Sequence, residues 1–386
     1  MRKVFNFVDI IIIVFLTTIM AAALGGFLIY TNKTASDDID DNLKYFYEAY
    51  DKLKDNYYEK VSGEDLINAA IEGMYSATSD PYTSYLNDED TNNLNNALNG
   101  KYKGIGIIIE KCSDGFKIIN VIEASPAYKA GLQTDDIITE IDLDDVKDFS
   151  INDVTKLIDE KENDTINLTI KRKDELLSFD VDIKTMYIPV SNYKLLDDNI
   201  GYISLTSFNE NSYTQFKNNL ESLEELNINS LIIDLRNNSG GYLDSAKRVA
   251  ELFLKKGKII YYLDKKNKLT SIKDDTKEKR NYKISIIINK KSASATEVLA
   301  SALKDSYGAV LVGEQSYGKG VIQEKDTLKN GNIVKFTTAK WLTPKKKSID
   351  TIGVKPDVEV ALNESIYVVD DLMSDTQVLK AVEVLK

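Results

Sequence analysis

From Val190 onward the chain alternates short apolar runs with amphipathic segments. Ile200 to Leu205, Ser230 to Leu235 and Ile284 to Ile288 read as strands, and Asp244 to Leu254 and Thr296 to Leu303 as helices between them. Strand–helix alternation of this kind predicts an α/β layer built on a mainly parallel sheet. Two other textures precede it. Ser36 to Gly100 reads as helical, with Leu43, Phe46, Tyr47, Tyr50 and Leu53 recurring at three- and four-residue spacing, and then Leu66, Ala70, Ile71 and Met74. Asp80-Pro81-Tyr82-Thr83-Ser84-Tyr85-Leu86 breaks that pattern as a turn between helices. From Lys103 the chain becomes a small module of ββαβαβ order: strands at 104–109 and 117–122, and a short helix at 125–132 stopped by Gly131. A strand at 136–141, a helix at 151–159 and a strand at 165–171 complete it. With 386 residues, 43% of them hydrophobic, two or three domains are expected. No internal repeat and no long low-complexity linker is visible.

Composition narrows the chemistry. The chain has no histidine, which removes Ser-His-Asp and Cys-His nucleophile systems and every histidine-ligated metal site. A single cysteine, Cys112, removes internal disulfides, cysteine-rich zinc sites and CxxC redox chemistry. A formal net charge of −12 disfavours binding to nucleic acid. Catalysis must therefore run on Ser, Thr, Lys, Tyr or carboxylates.

Ile10 to Tyr30 carries no charge over 21 residues and follows Arg2 and Lys3. As a helix it would be roughly 32 Å long, enough to cross a bilayer with its N-terminus inside. The alternative is a cleaved signal, for which Ala21-Ala22-Ala23 would supply small residues. Either way the acidic body from about Asp37 is expected outside the cytoplasm, as a single-pass cell-membrane protein or, if cleaved, a secreted one.

One segment has the form of a nucleophile turn. The strand Ile284 to Ile288 runs into Ser292-Ala293-Ser294-Ala295-Thr296-Glu297, where small residues open a helix. Such a turn lifts a side chain above the sheet edge and aims helix N-terminal N–H groups at one point, so Ser294 is a candidate nucleophile. The same tetrapeptide also fits a capping box, with Ser294 as N-cap and Glu297 at N3. Lys319, between Gly318 and Gly320 after the strand-like Val310-Leu311-Val312-Gly313, is the candidate general base. Its pKa would have to fall from about 10.4 to roughly 7–8 by burial. An exposed loop lysine is the plainer reading of the same residue. Asp234-Leu235-Arg236-Asn237-Asn238-Ser239-Gly240-Gly241 is a strand end and a Gly-Gly turn whose amides can donate to an oxyanion, or simply a turn. Gln323 could orient the lysine through its amide oxygen. At i+4 it lies within reach in a helical turn, and about 13 Å away in a straight strand.

Taken together these segments resemble the carboxy-terminal processing proteases, the tail-specific serine peptidases. Ser292 to Glu297 is similar to their nucleophile segment and Gly313 to Gln323 to their lysine segment. Asp234 to Gly241 resembles the DLRxNxGG run and Asp80 to Thr83 the DPY[ST] turn, so the resemblance covers about residues 40 to 362. It implies an α/β (α+β) protease core with a mixed β-sheet at 185–386, an inserted PDZ-like domain at 101–184, and an N-terminal helical region at 34–100. Residues 1–33 would be the transmembrane or signal segment. It further implies Ser294 as nucleophile, Lys319 as base and Gln323 as its orienting residue, with an oxyanion hole from the Ala295 amide and a Gly240 or Gly241 amide. No metal or organic cofactor is implied. The loop Gly104-Ile105-Gly106-Ile107 is expected to bind unstructured substrate C-termini by β-augmentation, with Ile105, Ile107 and Ile109 favouring apolar tails. Arg172 could steer or sense the substrate carboxylate, although a surface arginine serves no such role by default. Thr343-Pro344-Lys345-Lys346-Lys347 departs from the glycine-containing family segment, while Ile352 to Asp357 fits it. Homodimerisation through the helices of about residues 38 to 78 is also expected. The alternative reading is a noncatalytic PDZ adaptor or scaffold at the cell surface.

Overall fold

A computed structural model describes residues 41–386, apart from residues 123, 160, 162–164, 278 and 364–370. The apolar run Ile10 to Tyr30 lies outside the described residues, and among those described no helix is long and apolar enough to cross a membrane.

The chain divides into two units, one ending at Ser79 and one beginning at Asp80. The first contains helices Asp41–Asn56 and Gly63–Ser76. Ser62 caps the second, its hydroxyl accepting from the amides of Glu64 and Asp65 at 3.2 and 3.4 Å. The predicted apolar stripe does lie on one helix, yet neither helix buries a residue.

The second unit opens with the Asp80 turn, closed by the aspartate's own side chain: it accepts from Tyr82 N–H at 3.0 Å and Thr83 Oγ1 at 2.7 Å. A strand, Ser84–Leu86, closes the segment that the sequence suggested was a turn, and the helix Asp88–Asn99 follows it. The small module follows. Its strands run in the order Ile107–Cys112, Gly115–Val121, Ile137–Ile141, Thr165–Arg172, Glu175–Asp182. Phe116, Ile118, Ile138, Ile141, Ile166, Leu168 and Ile170 fill its own core. The strand Glu175–Asp182 was not expected. It pairs with Thr165–Arg172 along its whole length but buries only Val181, so its alternation is faint in sequence. A two-stranded ribbon, Lys101–Gly104 with Lys184–Tyr187, leads into and out of the module.

The body is built on a six-stranded sheet ordered Ser191–Leu196, Ile200–Leu205, Ser230–Asp234, Lys283–Ile288, Val310–Gly313, Val358–Glu359. Only the first pair is antiparallel. Both faces are covered, which explains the unbroken apolar runs. Ile203, Ile233 and Ile286 pack with the helices Ser212–Glu225, Leu243–Glu251 and Ala295–Ala302. Tyr202, Ile232, Ile287 and Val312 face Val378 and Ala381 of the helix Thr376–Glu383. A second, antiparallel sheet joins Ile333–Leu342 to Ser84–Leu86, Val321–Thr327 and Ile259–Lys265, the last pairing on to Lys268–Lys273. The core is thus α/β with mixed strand pairing.

Candidate active site

Ligands in open α/β sheets sit beyond the carboxyl ends of the strands. Here the neighbouring parallel strands Ser230–Asp234 and Lys283–Ile288 both end at that edge, and the segments that follow them meet. Asn238, fully buried, clamps the two. Its side-chain amide donates to the Leu205 carbonyl at 2.9 Å, and its carboxamide oxygen accepts from Gly240 N–H at 2.9 Å. Its backbone carbonyl accepts from Ala293 N–H at 3.0 Å and Thr296 Oγ1 at 2.9 Å. Ser292, also fully buried, fixes the turn further by donating from its hydroxyl to the Leu235 carbonyl at 2.9 Å.

Ser294 stands at the top of this turn with φ 58° and ψ −117°, a backbone conformation that costs about 1–3 kcal/mol in a residue with a Cβ. The capping pair forms on the glutamate's side: Ser294 N–H donates to Glu297 Oε2 at 2.7 Å. Glu297 N–H goes to the Ser294 carbonyl at 2.9 Å, and Ser294 and Glu297 take up the reciprocal arrangement of a capping box, with Ser294 half-buried. The segment is thus a helix cap whose half-buried serine also lines the cleft, so the two readings of the tetrapeptide coexist.

Glu297 does more than cap. Its buried carboxylate also accepts from Ser316 Oγ at 2.5 Å, Gly318 N–H at 2.7 Å and Lys319 N–H at 2.9 Å. One side chain thus ties the serine turn to the lysine loop. Burial pushes its carboxyl above the ordinary value, against the pull of these four hydrogen bonds.

Lys319 is half-buried, and its amine is held below the ordinary lysine range, first by burial and then by Lys335; Asp80 and Glu297 pull the other way. Its Nζ lies 4.6 Å from the centroid of the Tyr82 ring, a cation–π distance. Lys319 and Ser294 line one cleft of about 450 Å³ together with Gly241, Ala295, Gln323 and Trp341, but no hydrogen bond joins the two side chains. Gln323 lies on the strand Val321–Thr327 beside an irregularity in register between Ile322 and Gln323. Its amide donates to Thr337 Oγ1 at 3.2 Å rather than engaging the lysine.

The oxyanion candidates separate cleanly. Gly240 N–H is spent on Asn238, whereas Gly241 N–H and Ala295 N–H have no acceptor among the described residues. Gly240 matters sterically instead. At φ +100° a Cβ there would stand 2.8 Å from the Ala293 carbonyl oxygen and 2.9 Å from Ser294 Cβ. Gly240→Ala should therefore cut kcat at least about 10²-fold and lower stability by about 1–3 kcal/mol. Steady-state kinetics alongside urea denaturation would check both.

A second cleft, of about 330 Å³, opens in the small module between the 104–109 segment and the helix Ile151–Asp159. The amides of Ile105 and Gly106 make no backbone hydrogen bond, and Gly106 (φ +90°) packs so closely on Ser125 that no side chain would fit. Ile105 and Val154 are turned into the core, so the accessible apolar wall includes Ile107 and Ile109 with Ile151 and Ile158 opposite. The helical half of that wall was not recognised in the sequence. The expectation for Arg172 is corrected. It does not line the cleft: its guanidinium donates to both oxygens of buried Asp136 at 2.7 Å and to the Gly131 carbonyl at 2.9 Å. An already neutralised guanidinium is a poor receptor for a second carboxylate.

Asp234 and Arg236, also prominent in sequence, form a network rather than a reaction site. Arg236 bridges Asp234 to Asp375 and Gln377, holding the C-terminal helix against the sheet. Asn238, Tyr82 and the bridging role of Glu297 were missed. Each stood inside a recognised segment, Asn238 as the asparagine of the DLRxNxGG run, Tyr82 in the DPY[ST] turn and Glu297 as the third residue of its cap, but none showed what it touches.

Comparison with known proteins agrees with this organisation. Residues 199–360 match the model for peptidase family S41, residues 103–183 that for the PDZ domain, and residues 28–91 that for the activating protease CtpB N-terminal domain. A "Probable CtpA-like serine protease" of Staphylococcus epidermidis is 31% identical over 375 residues, covering 96% of this chain and 76% of the relative. One of Staphylococcus aureus is 32% identical, covering 93% and 73%. A solved Bacteroides fragilis structure described as an S41 protease shares the fold at a TM-score of 0.52 and 17% identity, over 85% of this chain and 90% of that one. The chain belongs to the CtpA-like, carboxy-terminal processing serine proteases of peptidase family S41, and carries a PDZ domain.

Proposed function

We propose that the chain is an endopeptidase working through a Ser294–Lys319 dyad, with Ala295 and Gly241 amides as the oxyanion hole. The observation that carries the reading is the meeting, in one cleft, of a serine on a strained helix-start turn, a lysine depressed by burial, and two amides without acceptors among the described residues. Neutral Lys319 takes the Ser294 proton as Oγ attacks the peptide carbonyl. The lysine passes that proton to the nitrogen of the amine as the C–N bond breaks, and, neutral again, takes a proton from the water that attacks the acyl-enzyme; returning it to Ser294 Oγ releases the acid. In the present conformation Lys319 rests against Tyr82 and Gln323 on Thr337, so a shift of the lysine toward Ser294 belongs to activation. Gln323 would then orient it.

The substrates we infer are exported or membrane proteins with unstructured, apolar C-termini. Such a tail would lie in the PDZ cleft with its carboxylate on the Ile105 and Gly106 amides, and its binding would favour the active position of Lys319. Residues 10–30 would place the catalytic body outside the cytoplasm, and the exposed aromatic face of Asp41–Asn56 would pair two copies.

The test incubates the purified protein with an unstructured protein ending in apolar residues and identifies products by mass spectrometry. Cleavage by wild type, its loss in Ser294→Ala, and stimulation by a peptide that fits the PDZ cleft are the expected results. Unchanged cleavage by Ser294→Ala would refute the nucleophile assignment. Silence of every form, even with the peptide, would favour the adaptor reading.

A further inference from the structure

The helix Leu243–Glu251 begins at the Gly240-Gly241 turn and ends, away from the cleft, in a carboxylate cluster. There Glu251, Asp274 and Asp275 bring ligand oxygens within 4.8 Å of one another. Glu251 and Asp274 are only 6% and 2% exposed, whereas Asp275 is open to solvent. Asp274 Oδ1 accepts from Thr276 N–H and Oγ1, each at 2.8 Å, but Oδ2 is sealed from solvent and has no hydrogen-bond partner. Among the described residues the cation paired with the cluster is the Lys247 ammonium, 2.7 Å from Glu251 Oε1. One cation against three carboxylates leaves two uncompensated charges. Glu251 moreover sits at the negative end of its helix, and a lysine four residues before a glutamate is the weaker order for such a pair. A buried carboxylate oxygen without a hydrogen-bond partner, on a side chain grouped with two further carboxylates, is costly unless something positive meets it.

We propose that Glu251, Asp274 and Asp275 form a binding site for a hard divalent cation, Ca²⁺ specifically, with Lys247 swinging out to admit it. Ca²⁺ takes oxygen ligands at about 2.3–2.6 Å, so opposite ligands stand up to about 5 Å apart; Mg²⁺, at about 2.0–2.1 Å, would need the cluster to tighten. Three carboxylates leave room for the waters that complete either shell. The bound ion would pin the far end of the helix that begins at the Gly-Gly turn, so it acts on stability and turn order, not on bond cleavage.

The full chain, stripped with EDTA, would be melted at constant ionic strength in CaCl₂ and, in parallel, in MgCl₂. Saturating CaCl₂ should raise the melting temperature by about 5 °C. Asp274→Asn should abolish the response. Asp275→Asn, at an exposed position that tolerates change, should weaken Ca²⁺ affinity about tenfold. Lys247→Gln should melt lower without metal yet bind Ca²⁺ more tightly, a result no purely structural cluster would give. Absence of a Ca²⁺ response in wild type, or an unchanged response in Asp274→Asn, would overturn the site. An equal response to MgCl₂ would overturn the choice of ion.

Discussion

Replacing Lys319 by methionine is expected to abolish peptide cleavage while making the protein more stable near neutral pH. The two effects share one cause. The stem of Lys319 is packed in the cleft, and burial with Lys335 nearby disfavours its ammonium form. A lysine whose pKa is lower in the folded than in the unfolded state binds fewer protons when folded, so stability rises with pH from the depressed value up to the ordinary one of 10.5. At neutral pH the folded protein therefore carries a penalty, which methionine removes while keeping the packing. In the proposed dyad activity would follow the same titration with opposite worth: only the free amine could accept the Ser294 proton, so kcat/KM should climb with pH through the depressed pKa. Loss of the base should cost about 10⁴-fold in kcat/KM, or about 5.4 kcal/mol. Arginine should fail equally, since it keeps the charge and cannot give it up. A pH–rate profile of wild type, with thermal melts of wild type and Lys319→Met, measures both halves. A methionine variant that is active, or one less stable than wild type, would show that Lys319 is an ordinary structural lysine.

How much of this was legible in the chain depends on the range of the interactions concerned. The parallel sheet announced itself because Ile200–Leu205, Ser230–Asp234 and Lys283–Ile288 are buried on both faces, which leaves an unbroken apolar signature. The antiparallel sheet did not: Val321–Thr327 and Lys268–Lys273 are largely exposed and read as polar loop. Ser294 and Lys319 stood out through their small and glycine neighbours, which are local features. What holds them is not local. Tyr82 lies more than two hundred positions from Lys319, and Asn238 more than fifty from the turn it clamps. The choice between Gly240 and Gly241 was likewise beyond sequence, since it rests on which amide Asn238 consumes. Arg172 failed for the complementary reason: its partner, Asp136, is set opposite it by strand pairing 36 residues away.

Glu297 is the residue through which the two halves of the site should fail together. Its carboxylate takes four hydrogen bonds: from the Ser294 amide, the Ser316 hydroxyl, and the amides of Gly318 and Lys319. Glu297→Gln turns one acceptor oxygen into a donor that faces donors, so about half of this set is lost in a water-free pocket. The expected cost is about 2–4 kcal/mol of stability and at least about 10²-fold in kcat, with KM little changed, because Ser294 and Lys319 lose their common tether. The pH dependence separates this from a generic core defect. Burial raises the Glu297 carboxyl in the folded state, so its contribution to stability is full below the ordinary value of 4.5 and is lost as pH rises through the raised one. The stability gap between wild type and Glu297→Gln should therefore be widest in acid and narrow toward neutrality. Wild-type activity should move the other way, because only the ionised carboxylate can accept all four bonds. A gap that stays constant across this range would mean that the charge is not stored in the site at all. A narrowing gap beside rising activity would mean that the protein gives up stability to keep a buried negative charge, and that the charge sets the distance between serine and lysine.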